Sequence, residues 1–427
     1  MDKEVIKSII IGKQRDLPRI ALQQRDMPFA EHTNYVIVGL RRAGKSYMLY
    51  QDIRQQLSTG RHTPQDILFI NFEDERLRGT AAGELNMLLE AYHELYGPDR
   101  QPLIYLDEVQ NVAGSETFAR RLADEGYRIM ITGSNARLLS RDIASTLGGR
   151  YIPRELAPFS FREYLQYLHI KLPDHWQYDS HAQAQAAQAF NEYFIHGGIA
   201  ESFRQTDKWE YLNALYQKIL IGDIVERNHI RNARVFRLLA RKLADSVMQP
   251  TSLSRLQHIV QSTGEHISLT ILKDYLDYMR EAYLTFDVPN MASPLTERET
   301  LKKRYFADNG ILQLFLHDGD AKLLENIVAI DLHNRLRGLD GEPRLFYHSR
   351  TAEVDFCIPS LQLAIQVTTT LADPATRERE TGALVKFLNQ HPRYQGIILT
   401  RSEQQTTTLP SGARIPVLPV WQWLLRD

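Results

Sequence analysis

The sequence contains very little cysteine and almost no excess charge. Cys357 is the single cysteine among 427 residues, which excludes an internal disulfide framework and any zinc site built mainly from cysteine. The 51 Lys and Arg residues nearly balance the 52 Asp and Glu residues, and the formal net charge is −1. Such a chain has no global attraction to nucleic acid or to a membrane, so binding to either would have to come from a local patch.

Long apolar runs are also missing. No stretch approaches the ~20 residues that span a bilayer. Ile9-Ile10-Ile11 is too short for the core of a signal peptide, and it follows the charged start Met1-Asp2-Lys3-Glu4. We therefore predict a cytoplasmic protein without a membrane partner. A chain of this length is expected to hold roughly two to four domains.

A phosphate-binding loop follows the first strongly apolar segment. Tyr35-Val36-Ile37-Val38 predicts a buried strand, and Gly39-Leu40-Arg41-Arg42-Ala43-Gly44-Lys45-Ser46 comes directly after it. In this pattern the glycines let backbone N–H groups surround the phosphates, the lysine reaches the β- and γ-phosphates, and the serine hydroxyl ligates Mg²⁺. The alternative is a plain glycine-rich turn. The pattern predicts that a nucleoside triphosphate is bound by Gly39, Leu40, Arg41, Arg42, Ala43, Gly44, Lys45, Ser46 and Tyr47.

A second segment supplies acidic partners for this loop. Residues 102–108 form an apolar run that ends in two adjacent carboxylates, Asp107 and Glu108. Ligands bind at the carboxyl edge of a parallel α/β sheet. We predict that Asp107 lies beside Ser46 and holds the metal, while Glu108 activates the attacking water as general base. Taken alone, the pair would indicate a solvated strand end, but the upstream loop favours the catalytic interpretation.

Strand-like and helix-like segments alternate through the first third of the chain. The predicted strands are residues 35–38, 66–72, 103–106 and 128–132, and the predicted helices are residues 45–57, 84–95 and 118–125. This order predicts an α/β fold with a doubly wound parallel sheet. The fourth strand ends in Gly133-Ser134-Asn135, which would place small polar side chains near the γ-phosphate as a sensor of hydrolysis. A plain turn is the alternative.

These motifs and several later segments resemble one known family. The segments that carry the resemblance are residues 39–46, 103–110, 131–140, 148–150, 156–164, 193–199 and 303–312. They are similar to the AAA-type ATP-binding proteins of bacteria and archaea, in which an AAA module precedes a C-terminal domain of uncertain function. The resemblance covers most of the chain.

The resemblance implies an additional-strand P-loop ATPase that binds ATP and Mg²⁺. It assigns a sensor role to Ser134 or Asn135. It also makes Arg150 a candidate arginine finger, which would stabilise the transferred phosphoryl group from a neighbouring subunit and so require a homo-oligomer. The alternative for Arg150 is an ordinary exposed arginine at a strand start. With Lys45 and Glu108, Asn135 and Arg150 complete the candidate catalytic set.

The middle of the chain is predicted to be helical, as a lid after the ATPase core. Apolar residues recur at helical spacing in residues 161–168 and 187–194. Further on, five arginines are spaced by 4, 3, 3 and 4 residues, which would place them on one helical face. On one helix they would form a stripe for phosphates or an acidic partner. The alternative is a solvated face, with the helix broken at Asn228-His229 and Asn232. The five arginines are Arg227, Arg231, Arg234, Arg237 and Arg241.

The next segment has the order of a winged helix. Residues 253–261 and 268–281 predict two helices, with Ser268 as N-cap of the second, and residues 283–286 predict a strand. A second helix in this arrangement would enter a DNA major groove. Its polar face carries Asp274, Asp277 and Glu281, however, which is poor for phosphate contact. Protein contact is therefore the alternative to DNA contact.

The last part of the chain has an α/β pattern of its own. Glu325 on a predicted helix, Asp355 on a strand and a following strand at residues 363–368 resemble the restriction-endonuclease-like fold. That fold normally offers a carboxylate and a lysine where this chain has Gln366 and Thr368. An amide is a poor substitute for a metal-binding carboxylate, so we predict no nuclease activity. Neighbouring polar residues that would rebuild part of a site keep the alternative open: Thr376, Arg377, Arg379 and Glu380.

The sequence as a whole predicts an ATP-hydrolysing switch whose nucleotide state controls a DNA or protein partner through the winged-helix and C-terminal domains. The alternatives are an ATP-regulated Mg²⁺-dependent DNA nuclease and a nucleotide-binding scaffold with negligible turnover. The predicted parts are an N-terminal arm at 1–28, the AAA-type ATPase core at 29–155, the helical lid at 156–245, a winged helix at 246–290 and a restriction-endonuclease-like domain at 291–427.

Overall fold

The computed structural model describes residues 2–135, 149–337, 342–408 and 414–426. It contains two compact units. The first is Met1–Leu156 with Glu281–Tyr283, and the second is Ala157–Arg280 with Leu284–Asp427. Within the described residues, no helix is both long and apolar enough to cross a membrane. The segments 136–140 and Gly148, which belong to the family resemblance, lie outside the described residues.

The first unit is built on five parallel strands. They are β1 (Asn34–Val38), β2 (Ile67–Asn71), β3 (Leu103–Asp107), β4 (Ile129–Gly133) and β5 (Tyr151–Glu155), in the order β2-β3-β4-β1-β5. The helices are α1 (Lys3–Asp16), α2 (Lys45–Ser58), α3 (Met87–Tyr96) and α4 (Ser115–Asp124). The predicted α/β fold with a parallel sheet is confirmed. Strand β4 lies between β1 and β3. It therefore separates the strand that ends in Asp107 from the strand that precedes the phosphate-binding loop.

Both faces of this sheet are covered, which explains why its strands are continuous apolar runs. Alternate residues of β1 point to opposite faces. Val36 and Val38 belong to a cluster that includes residues of α1, α3 and α4, whereas Tyr35 and Ile37 pack with residues of α2.

The N-terminal segment forms helix α1, which packs against the first unit. Asp2 caps it, and Ile6, Ile9 and Ile10 are buried in the same cluster as Leu88 of α3. Residues 1–28 were predicted to form an arm, yet much of this segment packs into the first unit. The sequence signal was present, because the three isoleucines recur at helical spacing.

The second unit begins with helices. They are α5 (Phe161–Tyr167), α6 (Ser180–His196), α7 (Lys208–Lys218), a π-helical stretch (Ile219–Glu226) and α8 (Ala233–Asp245). Helix α6 starts seven residues before the predicted 187 because Asp179 caps it, accepting from the backbone N–H of His181 and Ala182. The alanine-rich part of this helix buries Ala182, Ala186 and Ala189.

The five arginines do not share one helix, because the helical path is interrupted at residues 227–232, as the alternative to the stripe expected. Helix α8 begins only at Ala233, where Asn232 caps it by accepting from Val235 N–H. Between the π-helical stretch and Ala233 the chain is not helical. Arg227 forms an ion pair with Asp223, with 3.6 Å between Nη2 and Oδ1. Three arginines remain together on α8, namely Arg234, Arg237 and Arg241.

A small antiparallel sheet follows, with three helices. The elements are β6 (Thr251–Ser252), α9 (Leu253–Gln261), α10 (Leu269–Glu281), β7 (Thr285–Pro289), α11 (Leu295–Thr300) and β8 (Leu301–Phe306), and the strand order is β6-β8-β7. Ser268 accepts from Ile271 N–H at 3.2 Å, as expected of an N-cap. Strand β7 starts two residues later than predicted because Tyr283 has φ +57°, a left-handed conformation that a strand does not accommodate.

The chain ends in a mixed sheet of six strands. The elements are α12 (Asn309–Gln313), α13 (Asp320–Leu336), β9 (Phe346–Ser349), β10 (Glu353–Ile358), β11 (Leu363–Val367), α14 (Pro374–Gln390), β12 (Gln395–Thr400), β13 (Gln405–Thr408), β14 (Arg414–Pro419) and α15 (Val420–Leu424). The strand order is β13-β14-β12-β11-β10-β9. Helix α14 connects the parallel neighbours β11 and β12 and buries Leu384 and Phe387 in the core of this sheet.

Candidate nucleotide-binding site

The loop after β1 has the backbone geometry that its glycines allow. Gly39 has φ +148°, and a Cβ atom at this position would lie 2.1 Å from the carbonyl oxygen of Leu156. Gly44 has φ +100° and immediately precedes α2. Only glycine adopts these conformations without strain. The two glycines therefore let the chain turn tightly from β1 into α2, whose N-terminus carries the positive end of the helix dipole.

Lys45 lies inside this loop. Its side chain is buried, and its Nζ donates to the carbonyl oxygens of Gly39 and Leu40, both at 3.2 Å. The same Nζ lies 3.7 Å from Oε1 of Glu108. An ammonium group held at the mouth of the loop beside a carboxylate is suited to pairing with phosphate oxygens.

Asp107 ends strand β3 and is fully buried. Thr132 Oγ1 donates to its Oδ1 at 2.5 Å, while its Oδ2 has no hydrogen-bond partner among the described residues. Burial, followed by the charge of Glu108, raises the pKa of Asp107 to about 6, and the nearby hydroxyls of Thr132 and Ser46 oppose this rise. A buried carboxylate oxygen without a partner, next to a serine hydroxyl, fits a hard divalent cation such as Mg²⁺.

Glu108 is held by contacts that its sequence position did not predict. It has φ +55°, a left-handed conformation, and its backbone N–H donates to Thr132 Oγ1 at 3.0 Å. Its carboxylate accepts a hydrogen bond from Gln110 Nε2. Left-handed backbone in a residue other than glycine is costly and is concentrated at functional sites.

Gln110 and Thr132 are the two residues that sequence reasoning missed. Gln110 Nε2 also lies 3.2 Å from Ser134 Oγ, so one amide contacts both the candidate base and the end of β4. Thr132 contacts both carboxylate residues across the β3–β4 pairing. A polar residue in the otherwise apolar run of β4 was the available signal for Thr132.

The other predicted site residues occupy different surroundings. Ser134 and Asn135 are buried where β4 ends. Leu40 and Ala43 are buried, Arg42 has φ +66°, and Arg41 Nη2 pairs with Glu73 Oε1 at 2.5 Å. Tyr47 is 47% exposed on the first turn of α2.

Arg150 lies just before β5. Its guanidinium forms an ion pair with Asp124, the last residue of α4. This contact places the predicted arginine finger at the surface of the first unit, with its side chain 38% exposed.

Similarity to known proteins identifies the family of this chain. Residues 31–165 match the model of an AAA domain. An uncharacterized protein of the archaeon Methanocaldococcus jannaschii is 32% identical over all of this chain and 96% of its own length. The chain belongs to the AAA-type P-loop ATPase family of bacteria and archaea. An uncharacterized protein of Haemophilus influenzae is similar to this AAA-type ATPase at 27% identity, over 98% of this chain and 99% of that one.

The later part of this AAA-type protein matches a second family model. Residues 187–322 match a domain of unknown function, DUF8612. A Walker-type ATPase of Pyrococcus abyssi covers 74% of this chain and 95% of its own, at 15% identity and a TM-score of 0.38.

Proposed function

We propose that this AAA-type protein is an ATP-hydrolysing molecular switch whose second unit binds a macromolecular partner. The observation that carries the proposal is the 3.7 Å distance between Lys45 Nζ and Glu108 Oε1, next to Asp107 Oδ2, which has no hydrogen-bond partner among the described residues. A phosphate-binding cation, a general base and a metal-binding oxygen lie at one sheet edge.

In the proposed reaction, backbone N–H groups of residues 39–46 bind the phosphates of ATP, and Lys45 pairs with the β- and γ-phosphate oxygens. Ser46 and Asp107 would hold Mg²⁺, which offsets the negative charge of the phosphates when bound. Glu108 accepts a proton from a water molecule as the water oxygen bonds to the γ-phosphorus. The bond from that phosphorus to the bridging oxygen breaks, which yields ADP and phosphate.

We assign the sensing of this reaction to the end of β4. Gln110 contacts both Glu108 and Ser134, so movement of either group disturbs a shared hydrogen-bond donor. Asn135 is the adjacent candidate for contact with the γ-phosphate. Arg150 is proposed to act from a neighbouring subunit, because its charge at the surface is suited to an interface between copies.

For the second unit we propose a winged helix formed by α9, α10 and the sheet of β6, β7 and β8. Its use in protein contact is favoured over DNA contact by the charges on α10. Arg280 pairs with Asp277 at 2.8 Å and lies 3.5 Å from Asp287, so acidic neighbours compensate the cation that would meet a phosphate.

The last sheet, with α13, is proposed to be a restriction-endonuclease-like frame without nuclease activity. Lys303 Nζ lies 3.1 Å from both Glu325 Oε1 and Asp355 Oδ1, and the lysine is fully buried. Its ammonium group compensates the negative charge of the two carboxylates. In a nuclease of this fold, carboxylates at these positions would hold Mg²⁺. A divalent cation does not fit beside this fixed positive charge.

The residues expected to rebuild a nuclease site have other contacts. Glu380 accepts from Gln366 Nε2 at 2.5 Å and from Arg379 Nη2 at 2.6 Å. Asp373 caps α14 and accepts from the backbone N–H and the hydroxyl of Thr376, and Arg377 Nε donates to the carbonyl oxygen of Leu371. These contacts support a structural role for all four residues.

Phosphate release by the purified chain tests the proposal. Wild-type protein should hydrolyse ATP, Lys45→Ala should lose ATP binding, and Glu108→Gln should bind ATP but turn over at least 100-fold more slowly. Tight ATP binding with no phosphate release by wild type would replace the switch with the scaffold alternative. Cleavage of DNA with Mg²⁺ or Mn²⁺ that is lost in Asp355→Ala would establish the nuclease alternative.

A further inference from the structure

A cavity in the second unit has an unusual charge. Its volume is about 510 Å³, and its lining comes from α7, α8, the turn after α9 and the residues after α12. Arg234, Arg237 and Arg241 line it, whereas no Asp or Glu residue does. Cavities of this size suit a ligand as large as a nucleotide. The cavity shares no lining residue with the candidate nucleotide-binding site.

Two of the three arginines have no acidic partner. Arg234 Nε lies 3.3 Å from Glu265 Oε1. In the part of the chain that the structure describes, Arg237 and Arg241 form neither a hydrogen bond nor an ion pair, and both side chains are exposed. Both lie close enough to Tyr216 to oppose the rise of its pKa to about 12, which burial causes. Two uncompensated guanidinium groups thus face the same cavity wall.

The three arginines are arranged along a line. They occupy positions i, i+3 and i+7 of α8, so they share one helical face over about 10 Å of its axis. A single phosphate would contact one end of this line. An extended chain of phosphates matches it better, because a guanidinium group donates two parallel hydrogen bonds to phosphate.

Aromatic rings complete the cavity. Tyr216 is buried and packs edge-to-face against Phe315, with 5.0 Å between ring centroids. Phe315 is half-buried and lines the cavity, as does Leu314. A positively charged groove with an aromatic wall is the combination that binds single-stranded nucleic acid, since the phosphates pair with cations and the bases stack on rings.

We propose that this cavity binds single-stranded nucleic acid, with backbone phosphates on Arg237 and Arg241 and one base against Phe315. An acidic peptide would use the arginines but not the aromatic wall. A duplex would meet the arginines with its bases paired and turned away from the cavity. The site uses none of the residues of the candidate nucleotide-binding site, and helix α10 contributes none of its lining residues.

Fluorescence anisotropy with a labelled 20-nucleotide oligothymidine tests the proposal on the full chain. The double variant Arg237→Ala/Arg241→Ala should bind at least tenfold more weakly than wild type. Its slope of log affinity against log salt concentration should be smaller by about 1.4, since two phosphate contacts are lost at about 0.7 each. Phe315→Leu should weaken binding roughly tenfold without changing this slope.

The matched control is Arg255→Ala/Arg393→Ala. It removes the same charge from two other exposed arginines of the second unit, and it should change affinity less than twofold. In the absence of nucleotide, Lys45→Ala should bind the oligonucleotide as wild type does, so loss of ATP binding and loss of this site are measured separately. Thermal melting should show unchanged folding of both double variants.

Several results would overturn the proposal. These are no binding by wild type, equal weakening in the control double variant, or tighter binding of a 20-base-pair duplex than of the single strand. Displacement of the oligonucleotide by a poly-glutamate peptide at equal concentration of charge would assign the cavity to an acidic peptide instead.

Discussion

Nε2 of Gln110 lies 3.2 Å from Oγ of Ser134 and also donates to the carboxylate of Glu108. One side-chain amide therefore joins the candidate general base to the residue that follows β4. This contact suggests how a change at the γ-phosphate would alter the position of the base.

Gln110→Ala should lower kcat for ATP hydrolysis about tenfold and leave KM within twofold, because the amide positions Glu108 rather than binding ATP. Steady-state phosphate release measures both constants. Gln55→Ala, which removes an exposed glutamine on α2, is the control and should have wild-type kinetics. A rise in KM with an unchanged kcat would instead make Gln110 a ligand of the nucleotide.

Asp107→Asn should stabilise the ATP-free protein at pH 8. The pKa of Asp107 is raised to about 6 by burial, above its value in the unfolded chain, so its contribution to stability is present at pH 4 and is lost as pH rises through 6. The asparagine variant avoids this loss and should gain about 2–3 kcal/mol at pH 8. Urea unfolding at the two pH values measures the difference, which should vanish at pH 4.

The same titration should govern metal-dependent ATP binding. Mg²⁺ requires the ionised carboxylate, so the affinity for Mg·ATP should fall about tenfold between pH 7 and pH 5. Calorimetry at the two pH values, with ADP in the absence of Mg²⁺ as control, isolates this effect. An equal fall with both ligands would place the titrating group elsewhere.

Gly39→Ala should displace the phosphate-binding loop. The new Cβ would lie 2.1 Å from the carbonyl oxygen of Leu156, and φ is +148°. The expected cost is roughly 1–3 kcal/mol of unfolding free energy, together with loss of nucleotide binding. Gly83→Ala is the control, because Gly83 is exposed and a Cβ there has no neighbour within 4 Å. Thermal melting of both variants measures the loss of stability, and nucleotide titration measures the loss of binding.

Lys303→Met should destabilise the second unit by about 3–5 kcal/mol, because it leaves Glu325 and Asp355 buried without their ammonium partner. The pKa of Glu325 is already raised to about 7 by burial and by Asp355, so the loss should be smaller at pH 5, where the carboxyl is protonated, than at pH 8. Denaturant unfolding at the two pH values measures this loss of unfolding free energy. Lys273→Met on the exposed face of α10 should cost little, and equal losses in the two variants would contradict a special role for Lys303.

Mixing two inactive variants tests the proposed action of Arg150 between subunits. Arg150→Ala keeps the phosphate-binding loop, and Lys45→Ala keeps the arginine. Each variant alone should lose at least 100-fold in turnover, whereas their mixture should recover up to about a quarter of wild-type activity. Wild-type turnover in Arg150→Ala alone would show that the residue only pairs with Asp124.

Much of the first unit was predictable because its signals are local. An apolar strand, a glycine-rich turn and a helix follow one another in residues 34–58, and each is specified by neighbouring residues. The places where prediction failed depend on the chain outside the segment. Residues 227–241 have the spacing of one helix, but α8 is capped at Asn232 and the π-helical stretch changes the direction of the chain before it.

The sequence by itself determined the α/β class of the first unit and the loop at Gly39–Ser46, since period and glycine spacing act over a few residues. Only the tertiary structure decided that Thr132 contacts Asp107 and that Lys303 compensates Glu325 and Asp355. These contacts join residues 22 to 52 positions apart. Strand order and packing create them, and no local pattern encodes which distant side chain arrives at a buried charge.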